Sequence, residues 1–129
     1  MKVAMICTAL LGLLVFGLGL GVSALRGSRS TNIGHDRDPA DPLHKMVRAH
    51  GNAAEYAPML AILMLAIAAR GSTTWMVWTF VAATVFRYLH AAGMLLSPTL
   101  DRPQPLRFLG ALGTYVTGVV LVVAAVMVA

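Results

Sequence analysis

Four long apolar stretches, each bounded by charges and turn-forming residues, set the pattern of this chain. The first runs from about Val3 to Leu25 and stops at Arg26-Gly27-Ser28-Arg29. The second runs from about Leu43 to Ala69 and closes on Arg70-Gly71. The third spans about Thr73 to Leu96 before Ser97-Pro98. The fourth, about Leu106 to Ala129, follows Asp101-Arg102-Pro103-Gln104-Pro105. A helix needs about 20 apolar residues to cross a bilayer. The pattern therefore predicts an all-α, integral membrane four-helix bundle, with helices over 3–25, 43–69, 73–96 and 106–129 in one domain, 1–129.

The first segment has the layout of a cleavable signal peptide, with Lys2, an apolar run and Val22-Ser23-Ala24. A signal peptide has an apolar core of about 7–15 residues, whereas this one continues without a charge from Val3 to Leu25, so a retained helix is expected. Gly17 and Gly21 form a GxxxG pair in it, a spacing that permits close helix approach.

Composition agrees with a membrane solvent. Hydrophobic residues make up 58% of the chain and charged ones 12%, about half of what covers a soluble domain. Mean hydropathy is +0.77. The net charge of +5 does not indicate nucleic acid: the cations are spread out, flank apolar runs and have no aromatic residues alternating with them. The single Cys7 excludes an internal disulfide and any CxxC metal spacing, and it reads as an apolar packing residue. Arg26, Arg29, Arg37, Lys45, Arg102 and Arg107 lie on one side of the four spans, against Lys2 and Arg70 on the other. By the positive-inside rule both larger loops are cytoplasmic and the termini are on the opposite side. The first loop, about 26–42, is rich in Asp, Arg, Gly and Pro and is expected to lack regular structure.

Helix 2 opens with RAHGNAAEYAP, Arg48 to Pro58, which contains the only glutamate of the chain. Steps of four and three residues put Arg48, Asn52 and Glu55 on one helical face. At 1.5 Å per residue, Glu55 lies roughly 15 Å below Lys45, and Arg87 of helix 3 lies roughly 14 Å below Leu96. Charges of opposite sign at matching depth on antiparallel helices are expected to pair, because an isolated charge at mid-bilayer costs about 3 kcal/mol or more. A Glu55–Arg87 salt bridge or shared hydrogen-bonded network follows as an expectation. Pro58 frees the carbonyl of Ala54 and can kink the helix, and Tyr56 adds a hydroxyl. Arg48, Asn52, Tyr56 and His90 are more partners than one ion pair needs. They point to a polar cavity open to the cytoplasm and suited to carboxylates, which arginine binds in a bidentate fork. A purely structural polar staple is the simpler reading of the same residues.

These residues carry a resemblance. RAHGNAAEYAP resembles the Arg-x-x-x-Asn-x-x-Glu-Tyr-x-Pro signature in the second helix of the MAPEG family, the membrane-associated proteins of eicosanoid and glutathione metabolism. The same motif and Trp75-Met76-Val77 are similar to its bacterial branch, and FRYLHAAG and PQPLRFLG look like further family segments. The resemblance implies a homotrimer of four-helix protomers in a bacterial inner membrane, with glutathione as co-substrate between protomers and no metal. Carried over by position, Arg48, Asn52, Glu55, Tyr56, Arg87 and His90 contact glutathione, with Arg26 or Arg29 for its glycine carboxylate. The implied activity is of transferase or peroxidase type: a glutathione thiolate attacks a lipophilic electrophile arriving from the bilayer. Arg102 is the candidate activating cation and Arg107 the second, or a contact to lipid phosphate. Where glutathione-active members place tyrosines after Arg87, this chain has His90 and Met94. The alternatives are a non-catalytic member that binds another ligand or partner, and a small four-helix transporter driven by Glu55. Helix 1 has no acid of the kind small multidrug exporters use, and an Arg87 counter-charge would hinder proton cycling at Glu55.

Overall fold

The computed structural model describes residues 1–129. It contains four helices and no strand: α1 Lys2–Ser28, α2 Pro42–Arg70, α3 Thr74–Leu96 and α4 Pro105–Met127. All four are long and apolar enough to cross a membrane, and their bounds lie within three residues of those expected. Local chemistry sets the helix ends. Asp41 Oδ1 accepts from the amide of His44 at 2.8 Å, and Pro42 occupies the first turn. Gln104 Oε1 accepts from the amide of Arg107 at 2.6 Å, and Pro105 follows it. A side-chain cap of this kind contributes about 1 kcal/mol, and proline there gives up an amide that the helix does not use. Between α2 and α3 the chain reverses in three residues, with Gly71 at φ +107°, a region that side chains disfavour.

The helix pairs α1–α2 and α3–α4 pack most extensively, α2 and α3 join the pairs, and α1 does not touch α4. The α3–α4 contact depends on missing side chains. A Cβ on Gly110 would lie 2.6 Å from the Cα of His90, and one on Gly93 would lie 2.8 Å from the Cα of Arg107. On α1 the expected glycine pair is only half used. Gly17 faces open space, whereas Gly19 sits against His50 and Gly21 against Met46.

The interior has two apolar clusters. The larger includes Cys7, Leu11, Ala57, Phe80 and Ala83, so Cys7 is a packing residue as expected. The smaller includes Leu14, Leu18, Ala53 and Ala91. Arg87 falls midway in sequence between Ala83 and Ala91, one helical turn from each, so a polar layer divides the core. Only 30 of 129 residues are buried in the protomer, while Phe16, Leu20 and Val126 are each more than 70% exposed. An outer surface of this composition is suited to lipid or to other protomers.

The first loop has no helix or strand but is not loose. Arg29 pairs with Asp41, and Asp36 and Asp38 each accept an amide two residues ahead. The Leu100 amide donates to the Pro39 carbonyl at 3.0 Å, and Lys45 Nζ donates to the Ser97 carbonyl at 3.0 Å. The first loop and the α3–α4 loop are thereby joined at one end of the bundle.

Candidate functional site

The helix-2 signature forms one face of α2, as the spacing predicts, but its pairing differs from the expected one. Arg87 is 1% exposed. Its Nη2 donates to Asn52 Oδ1 at 2.7 Å, and its Cζ stands 5.2 Å from the centre of the Tyr56 ring. No salt bridge joins it to Glu55; the single ion pair of the protomer is Arg29–Asp41. Depth along the membrane normal put Glu55 and Arg87 level. Their pairing also depends on which way each helix is turned, and Glu55 faces outward while Arg87 faces in. Asn52, one turn from Glu55, supplies the acceptor instead. A buried guanidinium with a neutral partner is costly, and the face of Tyr56 adds a cation–π contact. Arg87 Nε is buried without any partner. Arg87 is thus no fixed counter-charge to Glu55, although the absence of an acid in α1 still separates this chain from the exporter pattern.

Glu55 has no partner within the protomer. It lines an apolar groove of about 530 Å³ between α2 and α4, together with Tyr56, Leu60, Thr114 and Tyr115. Tyr56 Oη donates to Tyr115 Oη at 3.3 Å, and the two rings meet edge to face at 5.8 Å. Sequence reading missed Tyr115. The available signal was its position eight residues beyond Arg107 in a run otherwise free of hydrogen-bonding aromatics.

Nearer the loops, a second cleft of about 780 Å³ is walled by His90, Asp101, Gln104, Arg107, Phe108 and Ala111. The two cavities share α4. Arg107, Ala111, Thr114, Gly118 and Val122 recur at spacings of three and four, so they follow one face of that helix. The track is polar at the loop end, has the tyrosine pair in the middle and is apolar beyond it. His90 is nearly buried and its Nδ1 lies 2.9 Å from the carbonyl oxygen of Arg107. The structure therefore separates the expected residues: His90 opens to the upper cleft, whereas Glu55 and Tyr56 line the lower groove.

The remaining arginines differ in how far they are engaged. Arg107 donates from Nη1 to the carbonyl of Leu100 and from Nη2 to that of Arg102, both at 2.9 Å, and so braces the α3–α4 loop. Arg102 is exposed with no side-chain partner. Arg48 is also exposed and unpartnered on the outer face of α2. Arg29 is held by Asp41, whereas Arg26 makes one long contact to the Gly34 carbonyl at 3.5 Å and keeps a buried, unpartnered Nε. Asp41 is the titratable group outside the spans that is clearly perturbed. The hydrogen bond from Arg29, then that from the His44 amide, holds its carboxyl below the ordinary value of 3.8. Met94 is buried in the smaller apolar cluster and gives the site no hydrogen bond.

Comparison with known proteins gives one match. The model of the MAPEG family matches residues 4–127. No curated protein matches, and no solved structure matches. With nearly the whole length covered, including the helix-2 face, the Arg87 layer and the α3–α4 loop, the chain belongs to the MAPEG family.

Proposed function

We propose that the protein is a membrane-bound glutathione-binding protein of transferase or peroxidase type that acts on lipophilic electrophiles. The observation that carries this reading is that, among the charged groups left without partners, Arg48 and Glu55 share one face of α2 and Arg102 lies on the α3–α4 loop. Arg48 and Glu55 complement one carboxylate and the ammonium of glutathione, Arg26 is placed for the second carboxylate, and Arg102 is left for the thiol. Arg48 and Arg26 suit carboxylates, Glu55 suits the ammonium, and the Arg87–Asn52 pair stiffens the wall between them. His90 and Tyr56 provide further polar contacts along α4. Arg29, already paired, is the weaker choice for the glycine carboxylate.

Arg102 is the proposed activating cation, since Arg107 is engaged with loop carbonyls. A guanidinium near sulfur lowers the thiol pKa and raises the thiolate fraction at neutral pH. The apolar groove beyond the tyrosine pair then suits the second substrate, which arrives from the bilayer. Because Arg48 and Glu55 face out of the protomer, a neighbouring copy in a homotrimer is a fitting completion of the site. Cytoplasmic placement of both larger loops, in a bacterial inner membrane, belongs to the same proposal.

Turnover by the purified protein of an aryl halide and of a lipid hydroperoxide with glutathione tests this reading. Activity in the wild type that is lost in Arg102→Gln, with glutathione binding retained, is the expected result. A wild type inactive on both substrate classes contradicts the catalytic part. One observation favours a non-catalytic binding role instead: no contact within the protomer aims the Arg102 side chain at the site.

A further inference from the structure

A guanidinium can stabilise a thiolate but cannot take up the proton that the thiol loses, because arginine is already protonated at any working pH. The proton goes either to bulk water or to a base beside the thiol, and the upper cleft contains one candidate base. His90 Nδ1 lies 2.9 Å from the Arg107 carbonyl oxygen. A carbonyl only accepts, so Nδ1 carries the hydrogen and Nε2 of the neutral ring keeps a free lone pair. Nε2 has no hydrogen-bond partner in the protomer, is not among the buried unpartnered atoms, and belongs to a residue lining the 780 Å³ cleft. The ring is held in place at its backbone, where Gly110 lets α4 come into contact with His90.

We propose that His90 Nε2 accepts the proton of a thiol bound in this cleft, an inference that rests on the glutathione reading above. The charged groups facing His90 are Arg87 on its own helix, Arg107 on α4 and Asp101 on the loop. The residues of α1 and α2 packed against this part of α3, Leu14, Leu18, Ala49 and Ala53 with Asn52 beside Arg87, carry no charge. In the step, the S–H bond breaks with its electron pair left on sulfur, and an N–H bond forms at Nε2. Imidazolium and thiolate then face each other, and the nearby guanidinium groups favour the sulfur anion. When the thiolate adds to an activated alkene, the carbanion recovers the proton from the imidazolium. When it displaces a halide, the halide leaves with the bonding pair and the proton passes to water through the open cleft.

The test counts protons. Glutathione is titrated into the full-length protein at neutral pH in two buffers of different ionisation enthalpy, and thiolate is read from its ultraviolet absorbance in the same samples. The expected result is thiolate formation with no net proton release, since the proton stays on His90. One proton released per thiolate formed, or a bound thiol that stays protonated, overturns the inference alone. A wild type that binds no glutathione overturns it together with the reading beneath it. His90→Gln is expected to retain saturable binding, weakened by the change in one polar contact, and to lose about 100-fold or more in conjugation rate at neutral pH, with recovery as pH rises. A His90→Gln protein that binds and reacts like the wild type also overturns it. The wild-type proton count stands whether or not that variant folds.

Discussion

Gly110→Ala tests the account of how α4 positions the site. The added Cβ would lie 2.6 Å from the Cα of His90, whereas carbon atoms settle at about 3.5–4.0 Å. The helices must therefore part by about 1 Å. That separation takes the 2.9 Å contact between His90 Nδ1 and the Arg107 carbonyl beyond the range of a hydrogen bond. Overpacking of this kind costs about 1–3 kcal/mol, and the lost hydrogen bond adds about 1 kcal/mol. The total of about 2–4 kcal/mol corresponds to roughly a 30- to 700-fold shift in the folding equilibrium. Unfolding in detergent micelles, followed by circular dichroism against rising denaturant, measures it. Gly12→Ala is the control, since a Cβ there meets nothing within 4 Å. Equal stability of the two variants would refute the close-approach argument and, with it, the claim that α4 fixes the orientation of His90.

Three further outcomes follow from the same geometry. Asn52→Leu removes the one hydrogen-bond acceptor of a nearly fully buried guanidinium. It should cost about 1.5–3 kcal/mol in the same unfolding assay, and an unchanged midpoint would contradict the pairing. Asp41→Asn keeps a capping side chain but loses the ion pair with Arg29. Because the folded-state pKa of Asp41 is lowered, its contribution is fully present above about pH 4 and is lost as pH falls through that depressed value. The variant should therefore lose less stability than the wild type on acidification below pH 4, and parallel acid limbs would count against the pairing. Arg107→Lys cannot bridge two carbonyls as a planar fork does. It should expose the α3–α4 loop to proteolysis while leaving the four helices intact, a result readable by limited digestion.

The sequence carried more of the fold than of the site, for identifiable reasons. Span ends were legible because apolar runs break at residues with a local role, Asp41-Pro42 and Gln104-Pro105 as caps and Gly71 as a reversal. The α2 face was legible because helical spacing alone decides which side chains are neighbours. The partner of Arg87 was not. Depth follows from counting residues, but the rotation of α2 and α3 about their axes is set by packing, which turned Arg87 toward Asn52 and Glu55 outward. Gly93 and Gly110 appeared as ordinary small residues until α3 and α4 were paired, and the Gly17–Gly21 spacing promised a contact that Gly19 and Gly21 make instead. Tyr115 was hidden in an apolar run for the same reason: its significance lies in Tyr56 across the groove.

On the proposed reading, the unpartnered charges on α2 hold a charged ligand. Calorimetric titration of the detergent-purified protein with glutathione, beside Arg48→Ala and Glu55→Ala, tests it most directly. Saturable binding in the wild type that both substitutions abolish is the expected result. A folded wild type that takes up no heat beyond dilution would contradict it and leave the polar layer as a structural device within the bundle.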